Sequence, residues 1–265
     1  SVYWMSENGF FTYDGQLKTL PCLVEDFVYS TNAGLGINTV ARDLVNCGLN
    51  NLYGEINWFY CSASSSVVDR VVTFNYLDST RERPVWTVGS LARTAWQDSS
   101  IFSKPHASLY DPNDNNCYDV TGNTQGLTVY YEQETGTDQV NYGGVTTTLI
   151  GTITSGAFDI TQRRSNTGQV VGTPDLRGDG EFIMRISRFI PDFIEQTGTT
   201  AVNFKTRIYP NSTTVSNNFT CDSTTTFKST RVRAREVELQ IANTTSGENW
   251  KLGTFRLDIS PGGRR

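Results

Sequence analysis

Apolar residues in this chain alternate with polar ones or gather in short runs between turn residues, which is the pattern of β-strands. Val2–Cys22 reads as strand, turn, strand, turn, strand. Asn8-Gly9 and Asp14-Gly15 offer the positive φ angles that tight hairpins use. A second meander follows, with strands near Glu55–Ser62, Asp69–Leu77 and Val85–Ser90. In it Trp58, Phe59, Tyr60, Phe74, Tyr76 and Trp86 have the bulk to pack between stacked sheets. A third set of strands falls near Ala107–Asp111, Cys117–Val120 and Leu127–Glu134. Between the first two meanders Ile37, Val40, Ala41, Leu44 and Val45 recur at helical spacing, which predicts one short helix near 37–46.

Small meanders repeated every few tens of residues have the rhythm of a β-propeller. After about Gly144 the texture changes to longer strands joined by polar loops. There Phe182, Met184, Ile186 and Arg188 are expected on one face of a strand, and Ile183, Arg185 and Ser187 on the other. The expected fold is all-β: β-propeller-type meander blades over 1–144 with the short helix, then a β-sandwich-like region or final blades over 145–265.

The closing stretch, Arg231–Arg265, reads as two strands, Arg231–Ile241 and Trp250–Ile259, around a polar loop. Period two puts Arg231, Arg233 and Arg235 on the face of Val237, Leu239 and Ile241, basic at one end and apolar at the other. Such a face suits salt bridges within or between subunits, or contacts with nucleic-acid phosphates. In RFIPDF, Phe189, Ile190 and Phe193 surround a proline that breaks strand pairing. This is either a bulge at the rim of the core or an apolar contact loop for a neighbouring subunit.

Charge sharpens this picture. The net charge of −5 conceals an asymmetry: residues 1–160 hold 7 Lys+Arg against 17 Asp+Glu, a net of −10, and residues 161–265 hold 15 against 10, a net of +5. Opposite signs on two halves suit head-to-tail packing between copies, or two different surroundings within one assembly. The net acidity and short basic runs also argue against avid nucleic-acid binding. Hydrophobic residues make up 37% of the chain, enough for a core, but no apolar run approaches the roughly 20 residues of a membrane helix. Five cysteines at irregular spacings and one histidine do not make a zinc set. They read as reduced structural thiols of a chain that folds in a cytoplasm.

Candidates for chemistry are sparse. A Ser/His/Asp triad would need His106, in the predicted loop KPHAS. Asp175, Asp179 and Glu181 sit among glycines and read as a turn rather than a glycosidase pair. Asp111–Asp119 is oxygen-rich but lacks the glycine and the closing glutamate of an EF-hand loop. Arg177-Gly178-Asp179 spells an integrin-binding tripeptide too short to be specific, and Arg163-Arg164 and Arg264-Arg265 are further basic pairs. No catalytic residue, metal or cofactor is implied.

Several segments together resemble the tail hub or nozzle proteins of short-tailed bacteriophages, which include the packaged-DNA stabilisation proteins. They are YWMSENGFFTYDGQLKTLPC, INWFYCSASSSVVDRVVTFNY with WTVGSLARTAW, SGAFDI, RISRFIPDF, RVRAREVELQI and WKLGTFRLDISPGGRR, spread in order over nearly the whole chain. Each is a structural motif. The resemblance implies a non-enzymatic, propeller-bearing virion component, assembled in the host cytoplasm as a homo-oligomeric ring of six copies. Its partners would be the portal–adaptor and the distal tail proteins, with transient non-specific contact with packaged DNA as the ring continues the channel and helps retain and eject the genome. Family members tend to be longer, so the chain reads as the later portion of one. An acidic first half suits a wall that repels DNA. Arg231, Arg233, Arg235, Phe189, Ile190 and Phe193 are the candidate subunit-interface or channel residues. A carbohydrate-binding or glycan-degrading host-attachment protein is the alternative.

Overall fold

The structure, a computed structural model, describes residues 1–30, 36–80, 83–99, 104–111, 117–118, 124–125, 127–132, 139–142, 145–148, 150–160, 182–209, 211–243, 245 and 247–263. Over 111–149 it gives the backbone pairing of the strands. The chain is all-β, and the described residues form several antiparallel sheets and two short helices. Among the described residues the sheets do not close into a barrel, and a ring of propeller blades is not part of what they show. Two compact units are present, Ser1–Glu134 and Thr135–Arg265.

In the first unit β1 (Val2–Ser6), β2 (Gly9–Tyr13) and β3 (Leu17–Leu20) form a meander, followed by α1 (Glu25–Val28). Ser6 pairs with Gly9, so the first turn is Glu7-Asn8, and Gly9 (φ 143°) rather than Asn8 has the positive φ. Gly15 (φ 107°) takes that part in the second turn.

The helix expected near 37–46 is a 3-10 helix over Thr39–Leu44, kinked at Ala41. Asn38 caps it: its Oδ1 accepts from the amides of Val40 and Ala41, and its Nδ2 donates to the Ser65 carbonyl at 2.8 Å. No buried apolar stripe results, since Val40 is 91% exposed. The reason lies downstream. Val45 is already extended, and β4 (Asn46–Asn50) pairs along its length with β5 (Glu55–Tyr60). Backbone pairing overrides the helical spacing.

β4, β5, β6 (Arg70–Asn75) and β7 (Val85–Gly89) make a four-stranded meander. Its second strand is buried on both faces. Ile56, Trp58 and Tyr60 join Phe10, Leu20, Val28 and Phe74 in one core, while Phe59 joins Cys61, Val68 and Val71 in another. Trp86 lies 4.7 Å from Phe10 and 4.8 Å from Phe74, and its Nε1 donates to the Pro21 carbonyl at 2.8 Å. All six aromatics read as packing residues lie in or against these cores. β8 (Ala95–Gln97) and β9 (His106–Asp111) follow, then the ladder of β10 (Cys117–Tyr118) with β11 (Thr124–Gln125), and β12 (Leu127–Glu132), which pairs with β9. Trp96 of β8 stacks on Phe59 at 5.8 Å and fills the space above Gly48, where a Cβ would sit 2.5 Å from the indole.

The second unit opens with the hairpin β13 (Gln139–Tyr142) and β14 (Val145–Thr148), then β15 (Thr152–Thr154). The remaining strands are β16 (Met184–Ile190), β17 (Phe193–Thr197), β18 (Thr200–Arg207), β19 (Val215–Cys221), β20 (Lys228–Ala234), β21 (Glu236–Asn243), β22 (Asn249–Leu252) and β23 (Arg256–Pro261). A four-stranded sheet, β15-β21-β18-β19, and a three-stranded sheet, β20-β16-β23, share one core. Met184, Ile186, Phe189, Val232 and Ala234 come from the second, and Val202, Phe204, Val237, Leu239 and Ile241 from the first. This is the sandwich-like arrangement expected of the C-terminal region.

Two strands depart from the alternation their sequence suggests. Arg231–Ile241 is two strands in two sheets: β20 pairs with β16, the chain turns at Arg235, and β21 pairs with β18 and β15. The buried parity changes at this corner, from Val232 and Ala234 to Val237, Leu239 and Ile241. Arg231 and Arg233 therefore lie on the outer face, away from the core, although they share odd numbering with the later apolar residues. In β16 a bulge between Ile186 and Arg188 shifts the alternation. Arg188 is turned outward and Phe189 inward, so Arg188 does not share the Met184 and Ile186 face.

Candidate functional site

The proline of RFIPDF bends one long antiparallel ribbon. β16 and β17 lie on either side of Pro191-Asp192, and they pair with β23 and β22, which are separated by 253–255. At the bend the Gly253 amide donates to the Asp192 carbonyl at 2.6 Å, and the Thr254 amide donates to Asp192 Oδ2 at 3.0 Å. A Cβ on Gly253 would meet the Asp192 carbonyl oxygen at 3.0 Å, so glycine allows the close approach. This bend divides the apolar candidates. Phe189 is fully buried, within 6.1 Å of Phe204, 5.6 Å of Phe219 and 5.9 Å of Phe255, and is a core residue rather than a contact residue. Phe193 packs on the core rim, 6.4 Å from Trp250. Ile190 is half-buried and pairs with exposed Arg256 on β23.

The outer face of the three-stranded sheet gathers the basic candidates. Arg231 and Arg233 stand exposed on β20, and Arg185 on β16 is directly opposite Arg233. Cβ atoms of opposed residues lie about 5 Å apart, a spacing at which like charges repel. Arg256 on β23 extends the face past Ile190. Arg188, released outward by the bulge, is anchored: its Nε lies 3.4 Å from Asp258 Oδ2 and its guanidinium 4.8 Å from the Phe227 ring. Among the described residues no carboxylate forms an ion pair with Arg185, Arg231, Arg233 or Arg256.

The other sheet of the same sandwich differs. On its outer face Arg207 Nη2 reaches Glu236 Oε2 at 3.0 Å and Glu238 Oε1 at 3.5 Å, and Lys205 stands opposite Glu238. One sheet balances its outer charge internally and the other leaves an arginine surplus. Arg235, at the corner, is half-buried and its amide donates to the Arg207 carbonyl at 3.0 Å. The structure thus groups Arg231, Arg233 and Ile190, sets Arg235 apart and withdraws Phe189. Arg185 and Arg256 were missed as site residues. Alternation already put Arg185 opposite Met184 and Ile186; the missing information was which strands flank β16.

His106 is the first residue of β9, not a loop residue. Arg163-Arg164, the segment Asp175–Glu181 and Arg264-Arg265 lie outside the described residues, as does most of the Asp111–Asp119 segment. Among the described residues no group of three or more His, Cys, Asp or Glu could hold a metal ion, and no helix is long and apolar enough to cross a membrane. Cys22, Cys47, Cys61 and Cys221 are free thiols. Burial pushes Cys22 and Cys221 up to about 11, away from thiolate reactivity. No protein-family model and no curated protein matches the chain.

Proposed function

We propose that the chain is a non-enzymatic structural subunit of a bacteriophage tail, of the hub or nozzle type, that assembles into a ring below the portal–adaptor and continues the DNA channel. The observation that carries this reading is the outer face of β20-β16-β23. A sheet surface that sets Arg185 against Arg233 and adds Arg231 and Arg256, none of them ion-paired to a carboxylate among the described residues, suits a complement in another molecule. The ordered resemblance of structural segments along the chain supports the tail as the setting. Single-particle imaging of intact virions is the test. The expected result is ring density at the portal-proximal tail into which both units fit; a chain found in the capsid wall or absent from the particle overturns the proposal.

One observation favours a second reading, glycan binding. On the outer side of β1-β2-β3, Trp4 and Phe11 face each other across strands with near-parallel rings 5.8 Å apart, and Tyr13 is exposed beside them. Aromatic faces of this kind accept sugar rings. Binding on a glycan array that is lost in Trp4→Ala supports it, and an array without signal removes it.

A further inference from the structure

Any occupant of the arginine face must be acidic. It must also present its charge over a surface, because Arg231 and Arg233 on β20, Arg185 on β16 and Arg256 on β23 span all three strands of the sheet. Such a surface exists in the same chain. Residues 1–160 hold 7 Lys+Arg against 17 Asp+Glu. At one end of the first unit Glu7 and Asp43 line a cavity of about 470 Å³ with Met5, Tyr29 and Ile37. Glu25 stands beside the same turn, its Oε1 3.2 Å from where a Cβ on Gly9 would lie, and Asp26 follows it, exposed. Arg42, ion-paired to Glu7, offsets part of this charge. Carboxylates above an apolar floor fit arginine well, since its stem packs on apolar surface while the guanidinium reaches acceptors.

We infer that the arginine face of β20-β16-β23 docks on the acidic end of the first unit of a second copy, around Glu7, Glu25, Asp26 and Asp43. The contact is heterologous, joining different surfaces of the two copies, so repetition of it gives a ring when the rotation closes and a filament when it does not. The inference rests on the ring-forming reading above and names the surfaces that would make the ring. Duplex DNA is the other polyanion the face could meet. A protein partner is favoured, because the same chain supplies the complementary charge and the chain as a whole is acidic, at −5.

Two full-length variants test it: Arg231→Glu with Arg233→Glu, and Glu25→Lys with Asp26→Lys. All four side chains are exposed, so circular dichroism and melting are expected to match the wild type. Analytical ultracentrifugation is expected to show each variant associating at least about tenfold more weakly than the wild type. It is also expected to show association restored when the two are mixed, since each then supplies the surface the other lacks. Variants that assemble like the wild type, or a mixture that stays dissociated, overturn the inference. So does an arginine variant that assembles normally but loses affinity for duplex DNA, which assigns the face to phosphate. A wild-type chain that is monomeric both alone and with portal–adaptor complexes sinks the ring-forming reading itself.

Discussion

β5 in the first unit and β16 in the second are both central strands of antiparallel sheets, and their surroundings differ. β5 is buried on both sides: Trp58 and Tyr60 face one core and Phe59 the other. β16 is buried on one side only, with Met184, Ile186 and Phe189 in the core and Arg185 and Arg188 outside. A strand enclosed on both sides contributes stability and leaves no face for a partner. A strand enclosed on one side can carry charge that plays no part in folding the chain around it. The arginine face is therefore separable from the fold, and that contrast is open to experiment.

The largest expected effect falls on the enclosed side of β16. Phe189→Ala removes a ring packed on three others and is expected to cost about 3–5 kcal/mol, read by urea unfolding, whereas Ile190→Ala on the outer side costs less than about 1.5 kcal/mol. Similar losses for the two would mean that the bulge does not turn Phe189 into the core and Ile190 out of it.

The double enclosure of β5 is tested through its neighbour. Gly48→Ala drives a methyl into Trp96, which stacks on Phe59, and is expected to destabilise the first unit by about 1–3 kcal/mol. A neutral result, with Trp96 fluorescence unchanged, would show the outer core of that sheet to be loosely packed.

Alkaline pH separates the two units without mutation. Burial raises Cys22 to about 11 and Tyr60 to about 12 and raises Tyr29 as well, all in the first unit, against Cys221 at about 11 in the second. Below the unfolded values of 9.0 for cysteine and 10.0 for tyrosine these groups are neutral in both states and cost nothing. As pH rises from there towards the folded values the unfolded chain ionises first, so stability falls. Between about pH 9 and 11 the tryptophan signal of the first unit is expected to unfold at lower urea before the second unit follows. Parallel losses in both would contradict this difference in burial.

The smallest effect has the opposite sign. Replacing Arg233 by Gln relieves its opposition to Arg185 and is expected to leave the isolated chain unchanged or more stable by about 0.2–1 kcal/mol, read by thermal melting. A destabilisation above about 1 kcal/mol would show that the guanidinium serves the fold.

Much of the local structure could be read directly from residue types. The hairpins around Gly9 and Gly15 follow from glycine's access to positive φ, and the alternation of β18 and β21 appears in their residue pattern as it does in their burial. β4 could not be read in this way. Asn-Cys-Gly-Leu-Asn has little strand character, and it is a strand because β5 offers it a full ladder. The helical spacing just before it fixed only a capped 3-10 turn. The candidate site was half visible. Arg231 and Arg233 were found, but the corner at Arg235 reversed the face assigned to them, and the bulge at 187 reversed that of Arg188 and put Phe189 in the core.

Residue types alone determined that the chain is all-β, where its tight turns fall, that a helix would be short, and that its charge divides into an acidic first part and a basic second. These depend on backbone sterics, on side-chain periodicity and on counting, all of them local or additive. Only the tertiary structure decided that Arg185 stands beside Arg233, that Arg256 joins them, and that the strand after Arg235 belongs to another sheet. Each of these depends on which distant segments share a ladder. Pairing and register are set by burying two inner faces together, and no short window of sequence contains both.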